Sequence, residues 1–223
     1  MTKADVSRRI VLLSTVFGVF IAGCHRPAVV SDDTSTESAI LFDGQALGRW
    51  QAADFYDPGR VYVKDGRIVL ERGVELTGIV WTGPVLRTDY EIALEAMRVE
   101  GEDFFCGLAF PVGEDYCSLV VGGWRGKVVG LSNIDLMDAS ENATTILLDF
   151  ESNRWYAIRL WVTAERITVW IDGDKVIDAE IAGRIIDIRY AMEPCCPLGI
   201  ASWKTTAAIR NIVMRPLSAE IDG

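Results

Sequence analysis

From residue 61 onward the chain alternates short β-branched, aromatic and aliphatic runs with Gly, Asp and Asn, and no stretch sustains a helical period. Val61-Tyr62-Val63 and Arg67-Ile68-Val69-Leu70 meet at Lys64-Asp65-Gly66, and residues 166–170 meet Val176-Ile177-Asp178 across Asp172-Gly173. Asp-Gly supplies the positive φ of a tight hairpin turn, so both junctions predict antiparallel pairs. Further strands are expected at 79–82, 90–99, 104–110, 116–121, 127–131, 144–149, 155–162, 198–203 and 207–214. Glu, Ala, Leu and Met make residues 90–99 a fair helix by propensity. The alternation of Ile92, Leu94 and Ala96 with Glu91, Ala93 and Glu95 assigns them to a strand instead. About a dozen such strands predict an all-β fold, an antiparallel β-sandwich of two packed sheets arranged as a jelly roll.

The N-terminus has a different pattern. Arg8 and Arg9 precede an apolar run over residues 10–22, and Ile21-Ala22-Gly23-Cys24 resembles the lipobox of bacterial lipoproteins. The run is too short to span a bilayer comfortably and reads as a cleaved signal peptide over residues 1–23. Cys24 is then the lipidation site, and the chain contacts the membrane through that lipid anchor only. Ser31-Asp32-Asp33-Thr34-Ser35-Thr36-Glu37-Ser38 has no large apolar group, so residues 24–39 are expected to be a flexible tether. Residues 40–218 form the domain, which faces the periplasm or the exterior of the cell envelope.

Across its 223 residues the chain has 22 Lys and Arg against 32 Asp and Glu, a net charge of −10. Loss of the leader removes Lys3, Arg8 and Arg9 but only Asp5, which leaves the domain more acidic still. Such a surface repels phosphates, so nucleic acid is not an expected partner, whereas neutral sugars remain open. Cys106 and Cys117 flank an expected hairpin and could face each other as a disulfide, or serve as small buried hydrophobes. Cys195 and Cys196 sit between Pro194 and Pro197. The single histidine, His25, lies on the tether, and no second cysteine pair stands at zinc spacing.

Candidate chemistry concentrates between residues 122 and 142. Trp124 among glycines is a stacking platform for a sugar ring, with Arg125 and Asn133 nearby to bind substrate. Asp135, Asp138 and Glu141 are candidate catalytic carboxylates, and the same three could ligate calcium, the only cofactor in view. Against this stands the plain alternative of a packed Trp124 and solvated loop acids. Glu102, Asp103 and Asp115 each precede an expected strand and could gather at one sheet end. Trp81 and Trp203 are expected to pack in the core, with Lys204 on the opposite side.

Leu41-Phe42-Asp43-Gly44 followed by Gly48-Arg49-Trp50 resembles the opening of the 3-keto-disaccharide hydrolase domain family. Residues 63–68, Thr88-Asp89-Tyr90-Glu91-Ile92, Cys106-Gly107-Leu108-Ala109-Phe110, residues 155–159, Trp170-Ile171-Asp172-Gly173 and Ile209-Arg210-Asn211-Ile212 follow that family's order. The likeness runs over roughly residues 40–217, with Cys106 and Pro111 standing where the family carries Ser and Arg. It implies a concanavalin A-like jelly roll on an exported lipoprotein, acting on glycans as a 3-keto-glycoside hydrolase or lyase. In the namesake reaction the C3 ketone acidifies the C2 proton, the glycosidic oxygen leaves by elimination, and water then adds. A noncatalytic carbohydrate-binding, lectin-like module and a structural envelope lipoprotein are the alternatives, and fold alone separates none of them.

Overall fold

The structure is a computed structural model that describes residues 39–217; the expected signal peptide, Cys24 and the tether up to residue 38 lie outside the described residues. Fifteen strands follow in chain order. They are β1 (Ala39–Ile40), β2 (Trp50–Ala52), β3 (Val61–Lys64), β4 (Arg67–Leu70), β5 (Leu76–Trp81), β6 (Tyr90–Glu100), β7 (Cys106–Val112), β8 (Asp115–Gly122) and β9 (Val128–Ser132). After these come β10 (Ile146–Leu147), β11 (Trp155–Val162), β12 (Arg166–Ile171), β13 (Asp174–Glu180), β14 (Gly199–Trp203) and β15 (Thr206–Pro216). One sheet has eight strands in the order β13-β12-β11-β6-β15-β4-β3, with β1 also on β15; the other has seven, in the order β10-β9-β8-β7-β14-β5-β2. Every pairing is antiparallel.

The period-2 pattern explains how the sheets meet. Ile92, Leu94 and Ala96 on β6 and Ile158 and Leu160 on β11 face Leu108, Phe110, Leu119, Val121 and Leu131 of the other sheet, and all are buried in one core. Full burial of each large aliphatic side chain contributes roughly 1.5–3 kcal/mol. The two Asp-Gly hairpins form as expected, with φ of 50° and 73° at Asp65 and Gly66 and of 53° and 90° at Asp172 and Gly173. The opening motif is structural: the Trp50 indole N–H donates to the Leu41 carbonyl at 2.9 Å, and its ring lies 5.2 Å from that of Trp81.

The structure decides one open alternative and corrects one expectation. Cys106 stands opposite Val121 and Cys117 opposite Phe110, four ladder positions apart, so they do not meet. Both are free thiols inside the core, and burial pushes each up to about 12. The strand expected over 144–149 is only Ile146–Leu147, because Asn142 captures Thr144: its Oδ1 accepts from the Thr144 amide at 2.9 Å and hydroxyl at 2.6 Å. Among the described residues no helix is long and apolar enough to cross a membrane.

Candidate functional site

The outward face of the seven-stranded sheet is built from small residues: Gly107 and Ala109 on β7, Ser118 and Val120 on β8, Gly130 and Ser132 on β9, Gly199 and Ala201 on β14. Their size lets two loops seat directly on the sheet. A Cβ on Gly199 would stand 2.4 Å from the Cys195 carbonyl oxygen, and one on Gly130 would stand 2.5 Å from that of Ala139. The strap over 187–196, with a 3₁₀ turn at Tyr190–Cys195, buries Met192 and Cys195 against Ala109 and Ala201. Asn133 holds the base of the strap, since its backbone N–H donates to the Asp187 carbonyl at 2.7 Å and its carbonyl accepts in return at 3.3 Å.

Between the strap and the loop at 122–126 remains a pocket of about 270 Å³. Phe104, Trp124 and Trp203 form aromatic walls, Ser118 and Ser132 lie in the floor, and Asp103 and Arg189 are its charged groups. The Ser118 hydroxyl donates to the Ser132 carbonyl at 2.9 Å and the Ser132 hydroxyl to Asn133 Oδ1 at 2.8 Å, so both hydroxyls are oriented. Asp103 Oδ1 accepts the Phe104 amide at 2.8 Å and Oδ2 the Arg125 amide at 3.3 Å, which fixes the carboxylate at the pocket edge.

The loop that carries Trp124 is held in an unusual conformation. Gly122, Trp124, Arg125 and Gly126 all have positive φ, at 78°, 45°, 66° and 90°, and the Trp124 side chain remains 40% exposed. Non-glycine residues in this region are strained and persist only where the surroundings over-determine them. Arg98 supplies that constraint. It points inward from β6 beneath the loop, donates to the Gly126 carbonyl at 3.0 Å, and stacks 5.4 Å from the Phe105 ring centroid. A Cβ on either Gly122 or Gly126 would stand 3.0 Å from its guanidinium. Burial lowers the Arg98 pKa, opposed by Tyr156, Asp103 and Glu102.

The expected site residues divide. Trp124 and Asp103 share the pocket, and Arg125 reaches it through its backbone N–H while its side chain stays exposed. Asp138 stands behind Arg189, 2.9 Å from Nη1. Burial raises its carboxyl, but the Ser140 hydroxyl and amide and the Arg189 guanidinium outweigh this and hold it below the ordinary aspartate value. Asp135 accepts from the Ile185 amide at 2.9 Å and from Arg184 Nε at 2.7 Å, and the two hold its carboxyl below the ordinary value. Glu141 and Glu102 are exposed on turns. Asp115 does not gather with Asp103, because it opens β8 opposite Val112, at the other end of the β7–β8 ladder. Among the described residues no three His, Cys, Asp or Glu side chains converge as a metal site.

Two pocket residues, Trp203 and Arg189, were not legible beforehand. Trp203 faces the pocket instead of the core, and Lys204, with φ of 45°, turns its ammonium back to 5.4 Å from the Trp203 ring instead of pointing away. Arg189 arrives on the strap, which no strand pattern announces. Asn142, behind the pocket, is buried, and its side-chain amide donates to the carbonyls of Leu131, Met137 and Asp138 at 2.7, 3.1 and 2.9 Å.

Fold and pocket together define a two-sheet jelly roll with an aromatic-walled cleft that holds a few polar groups on one outward face. The chain belongs to the 3-keto-alpha-glucoside-1,2-lyase-like domain family, whose profile matches residues 37–215. The fold is similar to that of a putative glycosyl hydrolase from Parabacteroides distasonis (14% identity, 81% of this chain and 94% of that one, TM-score 0.51). It is also similar to the carbohydrate-binding module CBM66 from Bacillus subtilis (14% identity, 75% and 95%, TM-score 0.50). The Crh5 transglycosylase in complex with NAG is a further neighbour (13% identity, 80% and 83%, TM-score 0.56). No curated protein matches the chain significantly.

Proposed function

We propose that this domain cleaves 3-keto-glycosides by elimination, with Asp103 as the acid/base group and Arg189 beside the developing enolate. The observation that carries this reading is that Asp103 and Arg189 line one pocket together with Trp124 and Trp203. Asp103 takes the C2 proton of a sugar stacked on the indoles. The C1–O bond breaks as the C1=C2 double bond forms, and the same carboxyl returns the proton to the departing glycosidic oxygen. Asp103 is the only carboxylate in the lining, so it serves both steps, which requires the C2–H and C1–O bonds to lie on one face of the ring, as in a β-glucoside. Arg189 provides the positive surroundings that enolate charge requires. Addition of water to the enone completes hydrolysis where hydrolysis is the outcome.

Asp135, Asp138 and Glu141 act on this reading as supports or as solvated loop groups: Asp138 orients Arg189, and Asp135 ties the 184–185 segment to its loop. A noncatalytic glycan-binding role is the second reading, favoured by the indole pair. The test is sugar release from 3-keto-glycosides and from their unoxidised parents, with and without calcium. Release from the keto forms alone, abolished by Asp103→Asn and only weakened by Asp135→Asn, supports elimination; saturable binding without release, lost in Trp124→Ala, supports the lectin-like module.

The same proposal places the protein at the cell envelope, anchored through lipid on Cys24. Radiolabelled palmitate incorporation that disappears in Cys24→Ser checks it, and labelling that persists in that variant overturns it.

A further inference from the structure

The outward face of the eight-stranded sheet carries two stacked arginines in matching settings. Arg210 lies 4.1 Å from the Trp155 ring centroid, and both Nε and Nη2 donate to Glu95 Oε2, at 2.9 and 2.6 Å. Arg159 lies 4.2 Å from the Trp170 ring and 5.4 Å from that of Trp161, its neighbour on the same face of β11. It has no carboxylate: among the described residues Arg159 makes no ion pair and no side-chain hydrogen bond. Arg166, Arg210 and Arg215 on the same sheet, and Arg154 just before β11, are all paired to Asp or Glu.

Stacking occupies the flat face of a guanidinium and leaves its in-plane N–H fork open, which is the edge that receives a carboxylate. The two indoles, 4.8 Å apart and edge to face, hold the Arg159 head in one place, so little freedom is left to lose on binding. Beside it lies a depression of about 320 Å³. Ala93 and Ala157 leave its floor bare, Trp170 and Arg159 form one wall, and Glu95 and Asn211 form the other. The register shift between Arg210 and Val213 puts Arg210 and Asn211 together on this face, where both bind Glu95, so that acid is already neutralised.

We propose that this depression is a second ligand site, for a sugar unit bearing a single carboxylate such as a uronic acid, with the carboxylate on the Arg159 fork and the ring over Ala93 and Ala157. The Arg210–Glu95–Trp155 group shows the completed arrangement that Arg159 and Trp170 lack. The protein's net charge of −10 decides between ligands, because a polyanion is repelled while one carboxylate beside a fixed guanidinium is not. The site shares no residue with the cleft on the other sheet, so its failure leaves the elimination reading untouched.

The experiment titrates the full chain in detergent with methyl glucuronide, methyl glucoside and an acidic peptide, following binding by NMR or calorimetry. The glucuronide is expected to bind at least ~10-fold more tightly than the glucoside. Arg159→Gln and the space-filling Ala157→Leu, each checked for an unchanged melting temperature, should abolish that preference, while Trp124→Ala keeps it. Equal binding of the two glycosides, a preference that survives Arg159→Gln, loss in Trp124→Ala alone, or tighter binding of the peptide would each overturn the proposal.

Discussion

The two outward faces of this sandwich solve opposite problems with the same alternation. On the eight-stranded sheet, outward positions carry large polar and aromatic groups that mostly satisfy one another: Arg210 with Glu95, Arg215 with Glu91, and the Trp161 indole N–H donating to Glu91. At the centre of the seven-stranded sheet, outward positions are mostly Gly, Ala, Ser and Val, and satisfaction comes from loops that descend onto them. A face that completes itself needs no cover. A face of small residues gains a walled cleft, and its shape is then decided by loops from elsewhere in the chain.

Breaking the cleft chemically should have the largest effect. Asp103→Asn is expected to lower keto-glycoside turnover at least ~100-fold, with a melting temperature within a few degrees of wild type; turnover within ~3-fold of wild type would remove Asp103 from the mechanism.

Breaking it sterically comes next. Gly199→Val should destabilise the domain by about 1–3 kcal/mol in urea unfolding, because its Cβ starts 2.4 Å from the Cys195 carbonyl oxygen and the strap must lift. The same change at Gly173, where nothing lies within 4 Å, meets no steric obstacle but must adopt a φ of 90°, so it should leave the strap in place and separate the two effects.

The comparison sharpens at Arg98, which serves the cleft from inside the other sheet. Arg98→Met removes a desolvated cation, so global stability should change by less than about 1 kcal/mol. The loop should nevertheless loosen, and trypsin should cut after Arg125 at least ~10-fold faster, as followed by mass spectrometry. An unchanged cleavage rate would show that the left-handed turn holds without Arg98.

The smallest effect is acid sensitivity of the strap. Asp138 has a folded-state pKa below its ordinary value, so the Asp138–Arg189 pair stabilises fully above the unfolded value of about 3.9 and is lost as pH falls through the folded value. Asp138→Asn should flatten the stability profile below about pH 4 and change it by no more than about 1 kcal/mol at pH 7. An identical acid limb in both proteins would dissociate this pair from strap stability.

Much of the fold was legible because period-2 alternation and Asp-Gly turns are local signals. Ile92, Leu94 and Ala96 could be assigned to a core face without knowing what they touch. Residues 90–99 show the limit of propensity, since helix formers became the 11-residue central strand β6 under the demand to bury one face between β11 and β15. The candidate site was half legible. Trp124 and Asp103 stood out as an aromatic among glycines and an acid before a strand. Trp203 and Arg189 carried no comparable mark, because an outward tryptophan on β14 reads the same as an inward one until its neighbours are known.

By itself the sequence determined the two-sheet architecture, the hairpins and the family, since each follows from short-range pattern or from the order of short motifs. Only the tertiary structure decided which acid meets the arginine, why Cys106 and Cys117 stay apart, and which of the two stacked arginines has a carboxylate. Those outcomes depend on strand register and on where the strap over 187–196 comes to rest against Gly107 and Gly199. No local pattern encodes such distances, because chain segments so far apart are brought together only by burying the core they share.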